Sequence, residues 1–168
     1  MFSIRRFALG LAATLLLAST AQAQSSTDTA TATATATIVS AIAITKDVDL
    51  NFGDVVAGGT TGTVVLTTGG SRSATGGTTL GNTDGAAAAS FTVTGDSAAT
   101  YSITLPSSAT ITAGTNNMTV DTFTSNPSAT GTLTGGTETL AVGATLNVGA
   151  SQVSGSYTGS FDVTVTYN

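Results

Sequence analysis

The chain has 168 residues, no cysteine, no histidine and a formal net charge of −5. These counts exclude disulfides, thiolate nucleophiles and histidine bases, and they leave no basic surface for nucleic acid. Only 8% of the residues are charged, so solubility depends on the hydroxyl and amide groups of threonine, serine and asparagine.

Residues 1–23 have the composition of a secretory signal peptide. Arg5 and Arg6 precede an apolar run from residue 7 to residue 18, and Ala21-Gln22-Ala23 supplies the small residues that signal peptidase requires. The apolar run is short for a membrane span. We expect cleavage after Ala23 and secretion of the mature chain, which loses two arginines, so that its formal charge changes from −5 to −7.

Residues 24–37 form an N-terminal extension in which threonine and alanine alternate strictly from Thr29 to Thr37. This alternation has the period of two that is typical of a β-strand. Its even-numbered face carries Ala30, Ala32, Ala34 and Ala36, and Ile38 continues the same face. A segment at a chain end is ordered only when it docks on something, so this strand needs a partner.

Residues 38–168 are predicted to form one all-β domain, because short β-branched runs alternate with glycine, serine and asparagine as in a sandwich or barrel. The predicted strands are Ile38–Ile44, Val48–Phe52, Gly62–Thr67, Ser90–Thr94, Tyr101–Leu105, Met118–Thr124, Thr130–Leu133, Thr139–Val148 and Tyr157–Tyr167. Turns are predicted at Gly58-Gly59, Gly69-Gly70, Gly76-Gly77 and Gly135-Gly136.

Residues that could carry catalysis or bind a metal are few. Asp47 and Asp49 share one strand face, as paired glycosidase carboxylates can, but solvated turn acids are the simpler interpretation. The acidic run that begins at Asp47 also fails the helix–loop–helix calcium pattern, since its sixth and twelfth positions hold Phe52 and Gly58. The sequence therefore predicts no catalytic residue, no metal site and no cofactor.

The last fourteen residues predict a half-buried strand, because their even positions are all polar. The odd positions are Gly155, Tyr157, Gly159, Phe161, Val163, Val165 and Tyr167. No later strand follows this one in the sequence, so its far edge is expected to lack a partner.

This ending resembles the pilins of the chaperone–usher family, in which a glycine fourteen residues from the terminus and a penultimate aromatic mark the final strand. Gly155 and Tyr167 occupy these positions. Three further segments resemble the spore coat protein U group and allied secreted bacterial domains. They are Leu50-Asn51-Phe52-Gly53, Val142-Gly143-Ala144 and Tyr157-Thr158-Gly159-Ser160-Phe161.

The resemblance implies an immunoglobulin-like antiparallel β-sandwich that lacks its final strand. In such pilins a periplasmic chaperone fills the groove beside the C-terminal strand, and after transfer to an outer-membrane usher the N-terminal extension of the next subunit replaces it. The implied function is a structural subunit of a bacterial surface filament, with a role in adhesion or biofilm. The chain would pass through the periplasm to the cell surface or the medium.

The residues themselves suggest the same assembly, since a spare strand at one end and an open edge at the other form a head-to-tail contact that does not close. The alternative is a secreted or outer-membrane-associated sandwich that inserts its own extension and binds a glycan or protein without polymerising. The chain departs from the family in lacking a disulfide and in offering alanines where larger hydrophobic residues are usual. Ile38 either completes the donor strand or begins the domain's first strand, and the second assignment is favoured.

Overall fold

The computed structural model describes residues 26–83 and 85–168, and the predicted signal peptide, residues 1–23, lies outside them. All ten regular elements of the described chain are β-strands. None of the described residues forms a helix that could span a bilayer. The strands are β1 (Ala43–Val48), β2 (Val55–Leu66), β3 (Arg72–Leu80), β4 (Ala89–Thr94), β5 (Thr100–Thr104), β6 (Ser108–Ala113), β7 (Asn116–Asn126), β8 (Thr130–Thr132), β9 (Thr137–Val148) and β10 (Thr164–Tyr167).

The strands form two antiparallel sheets. The larger sheet has the order β1-β4-β9-β2-β3, and the β6–β7 hairpin joins it because β7 also pairs with β9. The smaller sheet has the order β10-β5-β8. The predicted all-β antiparallel sandwich is therefore confirmed, whereas its immunoglobulin-like connectivity and missing final strand stay predictions.

Alternating side chains of β9 show how the sequence builds the core. Leu140, Val142, Leu146 and Val148 are buried, whereas Ala141, Thr145 and Asn147 between them are only partly buried, as the period of a strand requires. Two apolar clusters result. The first cluster contains Phe52, Val64, Leu66, Val120, Ala144, Leu146 and Val148, and the second contains Ala89, Phe91, Val93, Tyr101, Leu133, Leu140 and Val142.

The outward face of the larger sheet is covered by hydroxyl and amide groups. Across five strands, the directly opposed residues are Thr75, Thr63, Asn147, Thr119 and Thr110. The Thr63 and Thr75 hydroxyls are 2.7 Å apart and hydrogen-bonded. This face gives the domain a polar surface with few charges, as the composition predicted.

The sequence placed several strand boundaries wrongly. The first strand begins at Ala43 rather than Ile38. Of the predicted strand Val48–Phe52, Val48 is the last residue of β1 and Asn51 makes an isolated bridge to Ala87. The rest is not a strand, because Asn51 Oδ1 accepts the Gly53 N–H at 2.8 Å and Gly53 has a φ of +67°. Both features turn the chain out of an extended path.

Two strands, β3 and β6, were not predicted. Their residues are mostly threonine, alanine and glycine, which carry little hydrophobic alternation. The Gly76-Gly77 pair lies within β3 rather than in a turn. Glycine is needed there because a Cβ at either position would collide with the carbonyl of Thr60 or Thr61 on β2. Gly58-Gly59 likewise lies within β2. The turns predicted at Gly69-Gly70 and Gly135-Gly136 are confirmed.

The predicted C-terminal strand Tyr157–Tyr167 is wrong in its first part. Only Thr164–Tyr167 forms a strand, and Thr158 makes a single bridge to Thr112. The predicted strand is divided because its two parts have different partners. The chain pairs with β6 at Thr158 and with β5 from Thr164 onward. The residues between these contacts pass from one sheet to the other.

One partly buried polar network joins the two sheets. The Tyr101 hydroxyl on β5 donates to Glu138 Oε2 on β9 at 2.8 Å, and the Thr132 N–H on β8 donates to the same oxygen at 2.8 Å. Burial, together with the Glu138 hydrogen bond, raises the pKa of Tyr101 above its ordinary value of about 10. The hydroxyl is thus held in its protonated form in the folded chain.

This network predicts alkaline destabilisation. Above pH 10 or so the unfolded chain releases the Tyr101 proton while the folded chain keeps it, so stability is complete below that pH and falls as pH rises. The slope for one group approaches about 1.4 kcal/mol per pH unit. We expect urea unfolding between pH 9 and pH 12, compared for the wild type and Tyr101→Phe, to show a steeper loss of stability in the wild type. Parallel pH profiles for the two proteins would contradict this assignment.

Candidate functional site

An open groove of about 1330 Å³ runs through the domain between two chain segments. One wall is the segment Lys46–Ala57, and the other is the segment Gln152–Phe161. The floor is the inner face of the larger sheet, which contributes Ala89, Phe91, Val120, Leu146 and Val148, together with Ile111 and Met118 of the β6–β7 hairpin. The groove is therefore a gap in the layer that covers an apolar sheet.

The first wall is held in place by the half-buried guanidinium of Arg72. Arg72 Nη1 donates to the Phe52 carbonyl at 2.6 Å and to the Asp54 carbonyl at 3.2 Å. Its Nη2 donates to the carbonyls of Gly81 and Asn82 at 3.4 and 3.1 Å. A planar guanidinium can bind several carbonyls at once, so this side chain fixes the part of the wall between β1 and β2 that belongs to no strand.

The second wall is fixed mainly by side chains. Gln152 Nε2 donates to the Asn117 carbonyl at 3.1 Å and to the Tyr157 hydroxyl at 2.8 Å, and that hydroxyl donates to the Val153 carbonyl at 2.7 Å. Gly159 lies directly against the β6 backbone, where a Cβ would collide with the Thr110 carbonyl. The Gln152–Phe161 wall thus rests on the β6–β7 hairpin without a continuous ladder.

The two walls meet at one end of the groove. There the Ser151 N–H donates to the Gly58 carbonyl at 2.7 Å. Val56 and Val153 lie two residues from this bond on either wall, and both side chains are 55% exposed. We call this end the closed end.

The opposite end of the domain contains parts of one edge strand from each sheet. β10 pairs only with β5, and β1 pairs only with β4, so each is an edge strand of its sheet. The Tyr167 hydroxyl donates to the Ser40 carbonyl at 2.8 Å and accepts the Asp96 N–H at 2.6 Å. The start of the domain is therefore tied to its last strand at this end, which we call the root end.

The residues predicted to form the acceptor strand fall into two groups. Gly155, Tyr157, Gly159 and Phe161 line the groove. Val163, Val165 and Tyr167 pack against the second cluster with Phe161, whose ring centroid lies 4.9 Å from that of Phe123. The alternating residues therefore belong to two successive parts of the fold, the groove wall and the packing around the second cluster.

The residues predicted to form the donor strand are exposed. Ala30, Ala32, Ala34 and Ala36 lie outside every strand. Ile38 is 96% exposed, whereas Ile42 and Ile44 pack against the second cluster. The favoured assignment of Ile38 to the domain's first strand is therefore wrong, because the domain's own packing begins at Ile42.

The charged groups of the groove lie at its rim. Lys46 Nζ and Asp49 Oδ1 form a 2.6 Å ion pair whose side chains are both exposed. Within residues 26–83 and 85–168, no group of three or more histidine, cysteine, aspartate or glutamate side chains could hold a metal ion. The groove thus combines the apolar side chains of its floor with the polar side chains and backbone of its walls.

Sequence reasoning missed most of the groove. The Lys46–Ala57 wall was interpreted as a strand followed by a turn, and the β6 floor was not predicted. Leu50 and Phe52 of this wall both pack with the first cluster. The exposed valines at the closed end, Val56 and Val153, carry no pattern in the sequence that distinguishes them from core residues.

Comparison with known proteins gives one family. The family described as a domain of unknown function, DUF4402, matches residues 42–167. Searches of the curated proteins and of the solved structures found no match to the chain. The matched range contains both walls and the floor of the groove.

Proposed function

We propose that this chain, which belongs to the DUF4402 family of domains of unknown function, is a structural subunit of a bacterial surface filament. The filament would be assembled by donor-strand exchange, in which a strand of one copy fills the groove of the next. The observation that carries the proposal is the open apolar groove in a domain whose N-terminal side chains are exposed and alternate with the period of a strand.

The proposed occupant is the donor segment, Thr29–Ile38, of a second copy. Its ten residues span about 33 Å when extended. About eight ladder hydrogen bonds would contribute about 1 kcal/mol each. The four alanine methyls would add about 3 kcal/mol and the Ile38 side chain about 2 kcal/mol. The backbone would dominate the contact, with Ile38 as its single large anchor.

The short linker between the donor segment and the domain favours insertion into a second copy over self-insertion. A self-inserted strand would have to reverse direction within Val39-Ser40-Ala41, in which Ser40 is the one residue that turns favour. The Ser40 carbonyl is also bound by the Tyr167 hydroxyl. A second copy can supply the same strand without that reversal.

The proposal includes the export route that the sequence resemblance implies. A periplasmic chaperone would cover the groove until an outer-membrane usher transfers the subunit to the growing filament, which would serve adhesion or biofilm. The exposed valines along the groove, Val48, Val56 and Val153, would need such protection, since uncovered apolar surface promotes aggregation.

The first experiment examines the purified mature chain, residues 24–168, on detergent gels. We expect a ladder of oligomers in unheated samples that collapses to one band after boiling. Deleting residues 24–37 should abolish the ladder and leave a monomer with a β-type circular dichroism spectrum.

A monomeric wild type would contradict the proposal. If the deletion then lowered its melting temperature, self-insertion would explain the extension. If the deletion changed nothing, the extension would have no role in the fold or in assembly.

A further inference from the structure

The exposed hydrophobic side chains are concentrated at the two surfaces that donor-strand exchange would join. Among the described residues, the large hydrophobic side chains that are exposed are Ile38, Val39, Val48, Val56, Leu80 and Val153. Ile38 ends the donor segment and Val39 directly follows it, and Val48, Val56 and Val153 line the groove. Only Leu80 belongs to neither surface.

The groove and the point where the donor segment leaves the domain lie toward opposite ends of β1. At the root end, Tyr167 binds the Ser40 carbonyl, and Ala43 of β1 is opposite Thr94. The groove wall begins only at Lys46, near the other end of β1, and continues to Ala57 at the closed end. A donor segment therefore leaves its own copy from the end that is farthest from that copy's closed end.

This placement favours one orientation of the inserted strand. If the donor entered from the root end, each copy would carry both of its neighbours at that one end, where its own donor segment also leaves. If it enters over the closed end, one neighbour lies at each end and the contact repeats without crowding. The inserted strand then runs antiparallel to β10, with Ile38 nearest the closed end.

We propose, on the basis of the donor-strand function, that Ile38 of one copy seats between Val56 and Val153 of the next. The Ser151–Gly58 backbone hydrogen bond joins the two walls at this end of the groove, so the entering chain passes over it. Val56 and Val153 are the half-exposed side chains that flank that passage, and Ile38 is the donor side chain closest to it. The three side chains form the apolar anchor by which the chain recognises a second copy of itself.

The chain contains no cysteine, so paired substitutions report the seating directly. The test variants are Ile38→Cys with Val153→Cys, and Ile38→Cys with Val56→Cys. After oxidation by copper phenanthroline in air, we expect most of the chain to form covalent ladders that survive boiling and disappear with reductant. The replaced side chains are exposed, so the variants should fold.

Three further variants complete the design. Thr37→Cys with Val153→Cys places the thiol on the opposite strand face and should give no covalent ladder. Ile38→Cys alone should give at most dimers. Ile38→Cys with Val48→Cys joins the donor to the other end of the groove and should also give no ladder.

The outcomes separate this inference from the proposed function. A covalent ladder from the Val48 pair alone would overturn the orientation while supporting strand exchange. A heat-sensitive ladder without covalent trapping in either test variant would overturn the seating of Ile38. The absence of any ladder in the unsubstituted chain would remove the proposed function itself.

Discussion

Replacing Ala34 by aspartate should abolish the heat-sensitive ladder, whereas the same replacement at the neighbouring Thr33 should preserve it. Ala34 lies on the even-numbered face with Ile38, and Thr33 lies on the opposite face. Only the even face would meet the groove floor, where Phe91, Val120 and Leu146 form an apolar surface. A buried carboxylate without a partner costs about 4 kcal/mol or more, which is roughly a thousandfold in the binding constant.

The two variants have the same charge and the same added side chain at neighbouring positions, so the comparison isolates the face of the strand. Both side chains are exposed in the single copy, and neither substitution should change the stability of the domain. Sedimentation velocity and unheated detergent gels measure the outcome. Equal loss of assembly in the two variants would mean that added charge, and not burial of the alanine face, controls association.

Removing the Arg72 guanidinium should lower the free energy of unfolding more than any other single substitution of a side chain that reaches the surface. Arg72→Ala removes donors from four backbone carbonyls, and charge-assisted hydrogen bonds contribute about 1.5–3 kcal/mol. We expect the free energy of unfolding to fall by about 3 kcal/mol. Arg72→Lys should recover only part of this loss, because an ammonium cannot bridge the carbonyls of two loops in the same geometry.

Lys46→Ala is the matched control, since it removes the other cation among the described residues that lie near the groove. Its ion pair with Asp49 is exposed on both sides, so the loss should be below about 0.5 kcal/mol. Urea unfolding followed by tyrosine fluorescence suits the chain, which has no tryptophan. The measurement is best made in the Ala34→Asp background, so that assembly does not contribute. Equal losses for Arg72→Ala and Lys46→Ala would refute the role of Arg72.

The fold class was predictable because hydrophobic alternation is a local property. β9 and the end of the chain show it clearly, and the structure uses both in the core. β3 and β6 lack that signal, since their stability depends on pairing with β2 and β7 rather than on their own side chains. Their existence could not be inferred from residues that are neighbours in the sequence.

The candidate site was only half predictable for a similar reason. The segment from Gly155 to Phe161 lines the groove at odd and even positions alike, so its place at the groove does not follow from the period of two. The opposite wall depends on contacts between distant residues, above all those of Arg72 with Phe52 and Asp54. The exposure of Ile38 was also inaccessible to pattern reasoning, because an isoleucine that follows an alternating segment is compatible with either a core strand or a free one.

The bond between the Tyr167 hydroxyl and the Ser40 carbonyl has a mechanical consequence. In a filament held together by donor segments, tension would enter each domain at Ser40. From there it would act along β1 through the covalent chain and on β10 through Tyr167. Ladder hydrogen bonds lie perpendicular to their strands, so a pull along β1 or β10 strains the bonds to β4 and β5 together. Such a domain would resist stretching by shear of whole strands, in the direction in which a surface fibre is pulled.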